Sequence, residues 1–163
     1  MTNSRDKGKR GEREVCHMLT KYLGEPITRE LGASRDGGCD VKITMGEFTY
    51  FVEVKLYRKV TQASVAEWWK QATRQANEDE HARNPVPVLI YRQSHWKYWE
   101  VVIPLNYMLW QLEATSKPVE KEVDHVPHTV TICVKFLADL MRMRWGTNQS
   151  TISNGKMDIY MEK

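Results

Sequence analysis

Two acids and a lysine stand out in the stretch CDVKITMGEFTYFVEVK: Asp40, Glu53 and Lys55. Val41 and Ile43 alternate with Asp40, Lys42 and Thr44. After Met45, Gly46 and Glu47 the alternation resumes, with Phe48, Tyr50, Val52 and Val54 on one face. The spacing predicts a β-hairpin that turns at Gly46-Glu47 in a type II′ turn, which takes glycine at its first central position. Met45 then faces Phe48, and Asp40 falls directly opposite Glu53. Opposed side chains of an antiparallel pair have β-carbons roughly 4.5–5.5 Å apart. Two carboxylates that close repel each other. A divalent cation between them resolves the conflict, and magnesium favours carboxylate oxygens with open water positions. A three- or four-residue loop would shift the register and remove the opposition.

Lys55 lies two residues beyond Glu53 and projects from the same face of the strand, while Val52 and Val54 face the core. Such a lysine can orient an attacking water or neutralise charge that develops on a phosphate. An isolated E-x-K is a common surface ion pair, so it is the opposed Asp40 that gives this one a chemical reading.

A fourth acid comes from the first helix, predicted over Asp6 to Leu23. Val15, Leu19, Tyr22 and Leu23 form its apolar stripe, and Gly24 and Pro26 stop it. At ~100° per residue, Glu12 falls within that stripe and Glu14 on the opposite, solvent side. An acid on a buried face costs desolvation unless a metal or a basic partner meets it. A first-turn acid also gains from the helix N-terminus alone.

The elements that must hold these residues follow in order. Ile27 to Leu31 is expected as a short strand and Gly32 to Gly38 as a loop. A second helix fits Gln62 to about Glu80, with Val65, Trp68, Trp69, Ala72 and Ala76 as its apolar stripe. Val86 to Arg92 and Tyr98 to Ile103 read as strands and Leu105 to Leu112 as a short helix. Thr115 to His128 is a charged connector, Thr129 to Val134 a last strand and Lys135 to Trp145 a last helix. This order argues for an α/β fold, a mixed central β-sheet flanked by helices. Residues 1–146 are expected as one domain and 147–163 as a polar C-terminal tail.

Composition agrees. The chain has 163 residues, 41% hydrophobic and 28% charged, which suits one globular domain with a real core. Its longest apolar run, Val86 to Tyr91, is too short to span a bilayer. The polar, basic run from Met1 to Arg13 does not read as a secretory signal. The three cysteines, Cys16, Cys39 and Cys133, are far apart and odd in number, which indicates free thiols in a reducing compartment. Net charge is +3, and Met1 to Arg13 carries all of it, with five basic residues against two acids. A basic patch on an otherwise neutral domain is either a phosphate-binding footprint or a solvated helical turn.

Three runs resemble a known family: KGKRGEREVCHML, SRDGGCDVKI and YFVEVK. They are similar to the PDDEXK nuclease superfamily, and within it to archaeal and phage Holliday-junction resolvases. Lys7 to Glu14 match its basic helix motif and Arg29 with Ser34 its R-x(4)-S loop. Gly37 to Val41 match G-x-x-D-[IV], and Glu53 to Lys55 its E-[VC]-K strand. The match covers the first half of the chain well, and WWKQATRQA followed by PVLIY in the second half less specifically. Cys39 stands where the superfamily has a proline.

The resemblance implies a restriction-endonuclease-like core and a DNA endonuclease. Asp40 and Glu53 would bind Mg2+, with Mn2+ able to substitute. The Val54 carbonyl and Glu12 would be further ligands and Lys55 the catalytic lysine. Gln71 is the second-helix polar residue by motif, although Gln75 lies nearer the apolar stripe. Lys7, Lys9, Arg10, Arg13, Arg29, Ser34 and Arg35 would hold DNA phosphates. The implied substrate is branched DNA, a four-way junction, and the implied assembly a homodimer, since two symmetry-related strands must be cut. The implied location is the cytoplasm, that of the host cell if the protein is phage-encoded. The alternatives are a repair or restriction-type nuclease of the same fold and a catalytically silent DNA-binding module.

Other features carry less. Trp68 and Trp69 lie on an apolar stripe and read as core rather than as stacking residues. Trp96, Trp99 and Trp110 fit core or a dimer surface. His125 and His128 lack a third metal ligand at good spacing and read as loop histidines.

Overall fold

The computed structural model describes residues 4–30, 38–112 and 129–143. Its elements in chain order are α1 (Ser4–Leu23), β1 (Val41–Met45), β2 (Phe48–Tyr57), α2 (Gln62–Glu78), β3 (Pro85–Gln93), β4 (Glu100–Pro104), α3 (Leu105–Leu112), β5 (Thr129–Cys133) and α4 (Val134–Met143). The strands form one mixed sheet in the order β1-β2-β3-β4-β5. β2 and β3 are parallel and the other neighbours antiparallel. This is the expected α/β architecture. α2 makes the crossover that a parallel pair requires. The connector, the tail, His125 and His128 lie outside the described residues, as do Leu31, Ser34 and Arg35.

Alternation along β2 divides the core in two. Tyr50, Val52, Val54 and Leu56 point to the face covered by α1 and α4, where they pack with Val15, Leu19, Leu137 and Leu140. Phe51 points to the α2 face and packs with Ala76 and Cys39. Further along that face, Trp68 packs with Leu89, Tyr91 and Val102. Trp68 and Trp99 are buried, whereas Trp69, Trp96 and Trp110 are half-buried. Tyr50 is wholly buried because its hydroxyl has a partner, the Tyr107 hydroxyl at 2.8 Å, which also accepts from Gln111.

Thr61 caps α2 in a reciprocal capping box with Ser64. At its other end Asp79 pairs with Lys42 of β1 at 2.5 Å. The helix therefore stops two residues before the expected Glu80.

The strand expected at Ile27 to Leu31 is absent from its described part, since residues 26–30 are irregular. One sheet-like bond, from the Glu30 amide to the Asp40 carbonyl (2.9 Å), is too little to make a ladder. Glu14 also departs from expectation. Arg92 pairs with it at 2.8 Å and the Trp99 indole N–H donates to it at 3.0 Å. Arg92 in turn lies over the Trp99 ring, 4.6 Å from its centroid. α1 crosses the sheet so closely that β3 and β4 reach a flank which a helical wheel assigns to solvent.

Gly11 permits that approach. A β-carbon there would meet Leu56 Cβ at 3.0 Å and Trp99 Cη2 at 3.3 Å. Gly11→Val is expected to lower unfolding free energy by about 1–3 kcal/mol through overpacking. Gly8, where a β-carbon meets only Glu12 Oε1 at 3.8 Å, is the control: Gly8→Ala should be neutral or stabilise by up to ~1 kcal/mol. Urea denaturation midpoints of the two variants check the contrast.

Candidate active site

The hairpin has the register that the sequence predicts. Met45 faces Phe48, and the pairing runs back to Val41 opposite Val52. Gly46 has φ +60°, and Asn84 is the one non-glycine residue with positive φ among the described residues. Positive φ at the first central position alone is the type II′ pattern. Asp40, one step beyond the last pair, therefore arrives beside Glu53 and Val54. Its Oδ2 accepts a hydrogen bond from the Val54 amide at 2.8 Å. In an extended strand a residue's N–H and C=O leave on the same edge. The Val54 carbonyl thus leaves β2 toward Asp40, where β1 has ended.

Glu53 is not on a solvated face. It is 3% exposed, beneath α2. Gln71 of α2 donates to its Oε1 at 2.8 Å, and Lys55 Nζ bonds the same oxygen. Its Oε2 is buried and has no hydrogen-bond partner among the described residues. A buried carboxylate costs several kcal/mol unless its charge and lone pairs are met. Asp40 shares the strain. Burial, and then repulsion from Glu53, push its carboxyl up to about 7, against the stabilising Val54 hydrogen bond.

Asp40, Glu53 and Lys55 line one cleft of about 490 Å³, together with Lys7, Gly8, Glu12, Val54, Leu56, Tyr57 and Arg58. Glu12 enters from α1, with its Oε2 on Arg29 at 2.5 Å. Gln75 turns elsewhere: its amide donates to the Gly38 carbonyl at 3.0 Å and braces the chain just before Asp40. Of the two glutamines, Gln71 is the one at Glu53. Cys39, in the proline's place, is buried against Phe51 and Ala76, and burial raises its thiol to about 11.

Lys7 lines the cleft, while Lys9, Arg10 and Arg13 are exposed along α1. Arg29 is engaged by Glu12. Tyr57 and Arg58 also line the cleft and are absent from the sequence-based site. Strand alternation carried two residues past Lys55 reaches Tyr57, so the signal was there to be read.

An acid pair on a hairpin, an E-x-K strand and a helix acid, set on a mixed sheet between helices, define a nuclease of the PDDEXK type. The family model described as "Phage putative PDDEXK endonuclease" matches residues 3–143, and the chain belongs to that family. A comparison with curated proteins finds no match. The family is one of endonucleases, which implies DNA as the substrate.

The donor set fits a small divalent cation. Glu53 Oε2 is a buried carboxyl oxygen with no hydrogen-bond partner among the described residues. Among the described residues no three His, Cys, Asp or Glu side chains form a cage by themselves. Magnesium is ordinarily held by one or two carboxylates plus water and substrate phosphate, so a cage is not required.

Without metal, the raised Asp40 has a consequence for stability. Its folded-state pKa of about 7 lies above the ordinary aspartate value of 3.8. The folded state therefore holds the proton more tightly than the unfolded state. The stability this contributes is complete below about pH 4 and is lost as pH rises through about 7. In a chelator, Asp40→Asn should raise Tm at pH 8 and change it little at pH 4. In a domain of this size, each kcal/mol of relieved repulsion corresponds to about 2–4 °C. Scanning calorimetry across that range checks the trend, and a gain that is constant with pH would contradict it.

Proposed function

We propose that this protein is a Mg2+-dependent endonuclease that hydrolyses phosphodiester bonds in branched DNA, foremost four-way junctions, and that it works as a homodimer. The observation that carries the metal-dependent reading is the partnerless Glu53 Oε2 beside a second carboxylate that burial and repulsion have raised.

Asp40, Glu53 and the Val54 carbonyl would hold the ion, with Glu12 at the margin. When bound, the ion supplies Lewis-acid polarisation of a phosphoryl oxygen. Gln71 holds Glu53 through Oε1, so that Oε2 would remain for the ion. Lys55 spends one of its three N–H donors on Glu53. The others can meet the charge that builds on the phosphate during in-line attack. Asp40 is held against rotation by the Val54 amide. Lys7 and Arg58 at the cleft, and Lys9, Arg10 and Arg13 on exposed α1, supply cations for the flanking phosphates. Contacts of that kind read shape and charge rather than base sequence.

The junction preference and the dimer rest on the resemblance to resolvases and on the two-fold symmetry of a junction. No helix among the described residues is long and apolar enough to cross a membrane, which is compatible with action on DNA in the host cytoplasm.

Incubated with Mg2+, four-way junctions should be cut faster than flapped DNA, and both faster than linear duplex. Asp40→Asn and Glu53→Gln should abolish cutting, and Lys55→Ala should slow it by about 10²–10³-fold, the cost typical of losing one charge-stabilising donor. Cutting by Asp40→Asn at the unsubstituted rate would overturn the site. Duplex cut as fast as junction would overturn the junction preference. DNA binding with no cutting at all would favour the silent module. A monomer by light scattering at working concentration counts against paired cleavage.

Affinity should fall steeply with salt. Replacing Lys9, Arg10 or Arg13 singly by alanine should weaken every DNA alike and reduce the slope of log K against log[salt] by about one. Binding titrations at several salt concentrations read both effects.

A further inference from the structure

The cleft does not stop at Lys55. Two residues further along β2, on the face that carries Glu53 and Lys55, stands Tyr57, 48% exposed. At ~3.3 Å per residue its Cα lies about 7 Å from that of Lys55. Exposed tyrosines are ordinary, but the support behind this one is not. Its ring lies against Trp68, with centroids 4.8 Å apart and planes inclined by 32°. Trp68 is buried and touches Tyr91, which touches Trp96. The backbone is held as well. The Tyr57 carbonyl accepts from the Ser94 amide at 2.8 Å and from the Ser94 hydroxyl at 2.9 Å. One side of the ring is therefore backed by an aromatic row on a pinned strand end, and the rest is open to solvent.

Charge accompanies the ring. Arg58 lines the same cleft, and Arg58 and Lys59 are both exposed. A rigid aromatic face beside cations that can follow a phosphate backbone is how proteins hold unstacked bases. A base within a duplex has both faces covered by its neighbours, and exposing one costs a few kcal/mol, least where the base is already unpaired.

We infer that Tyr57 is a stacking platform for an unpaired nucleobase adjoining the scissile phosphate, so that the enzyme selects DNA whose strand is already unstacked at the cut. The inference rests on the nuclease reading above and deepens it. It assigns structure selectivity to a side chain next to the acids rather than to overall DNA shape alone.

The test compares a duplex with the same duplex carrying a central run of mismatched, unpaired nucleotides. Length and charge are then equal. Binding is measured by fluorescence anisotropy in a chelator, for the full chain and for Tyr57→Leu and Tyr57→Phe. Leucine keeps an apolar cover on Trp68 and removes the π-face, whereas phenylalanine keeps the ring. The unsubstituted protein should prefer the mismatched DNA. Tyr57→Leu should reduce that preference by about 5- to 100-fold, the effect of losing one base–aromatic stack, and Tyr57→Phe should keep it. A fluorescent base analogue in the unpaired run should be quenched by the unsubstituted protein, a reading that needs no variant to fold. Equal weakening on both DNAs, equal loss in the leucine and phenylalanine variants, or no preference in the unsubstituted protein would overturn the platform. A protein that cuts DNA with Mg2+ and ignores Tyr57 loses only the platform. One that binds no DNA loses the nuclease reading with it.

Discussion

Past Val41 the first strand has no backbone left to offer its neighbour, and the Val54 amide bonds to the Asp40 carboxylate instead. The side chain takes over one rung of the ladder. That substitution brings an acid up to β2 at the level of Glu53, directs the Val54 carbonyl into the same space, and leaves the rest of β2 with an open edge. The cleft is that edge. α1 supplies one wall with Lys7 and Glu12, and α2 supplies the cover over Glu53 through Gln71. Each contribution depends on β1 ending where it does.

The site is expensive to fold without a counter-charge. Two carboxylates sit close together, one of them buried with an unmet oxygen. The surrounding structure carries the cost in definite ways: a capped helix above, a mostly apolar sheet face below, and α1 clamped by Glu14, Arg92 and Trp99. Strain held in this way would serve as preorganisation for the proposed ion, because the acids have nowhere to relax.

Local geometry was legible in the sequence and tertiary contact was not. The turn, the register, the alternation of faces along β2 and the burial alternation of β1 follow from a two-residue period and a glycine, and the structure has them as read. The α3 boundaries, Leu105 and Leu112, also coincide. What escaped was set by elements far apart in the chain. Glu14 reads as solvated because a wheel sees one helix, whereas Arg92 and Trp99 lie more than seventy residues away. Glu53 reads as outward-facing because strand alternation cannot tell solvent from a covering helix. Gln71 and Gln75 lie on one helix, and only the placement of Gly38 and Glu53 distinguishes them. Residues 27–30 have the composition of a strand but, among the described residues, make only the single sheet-like bond from Glu30 to Asp40.

The Gly46-Glu47 turn lies at the far end of the hairpin from the acids, exposed and with no side chain in the cleft. By position it is where a loop would ordinarily accept extra residues. Its length nevertheless sets the count that brings position 40 level with position 53, so it acts as a ruler. One added residue would send the Asp40 side chain to the opposite face while leaving the turn itself exposed. Drift in length there should be far less tolerated than drift in composition, and an engineer looking for a place to graft a tag or label would do better almost anywhere else on the surface.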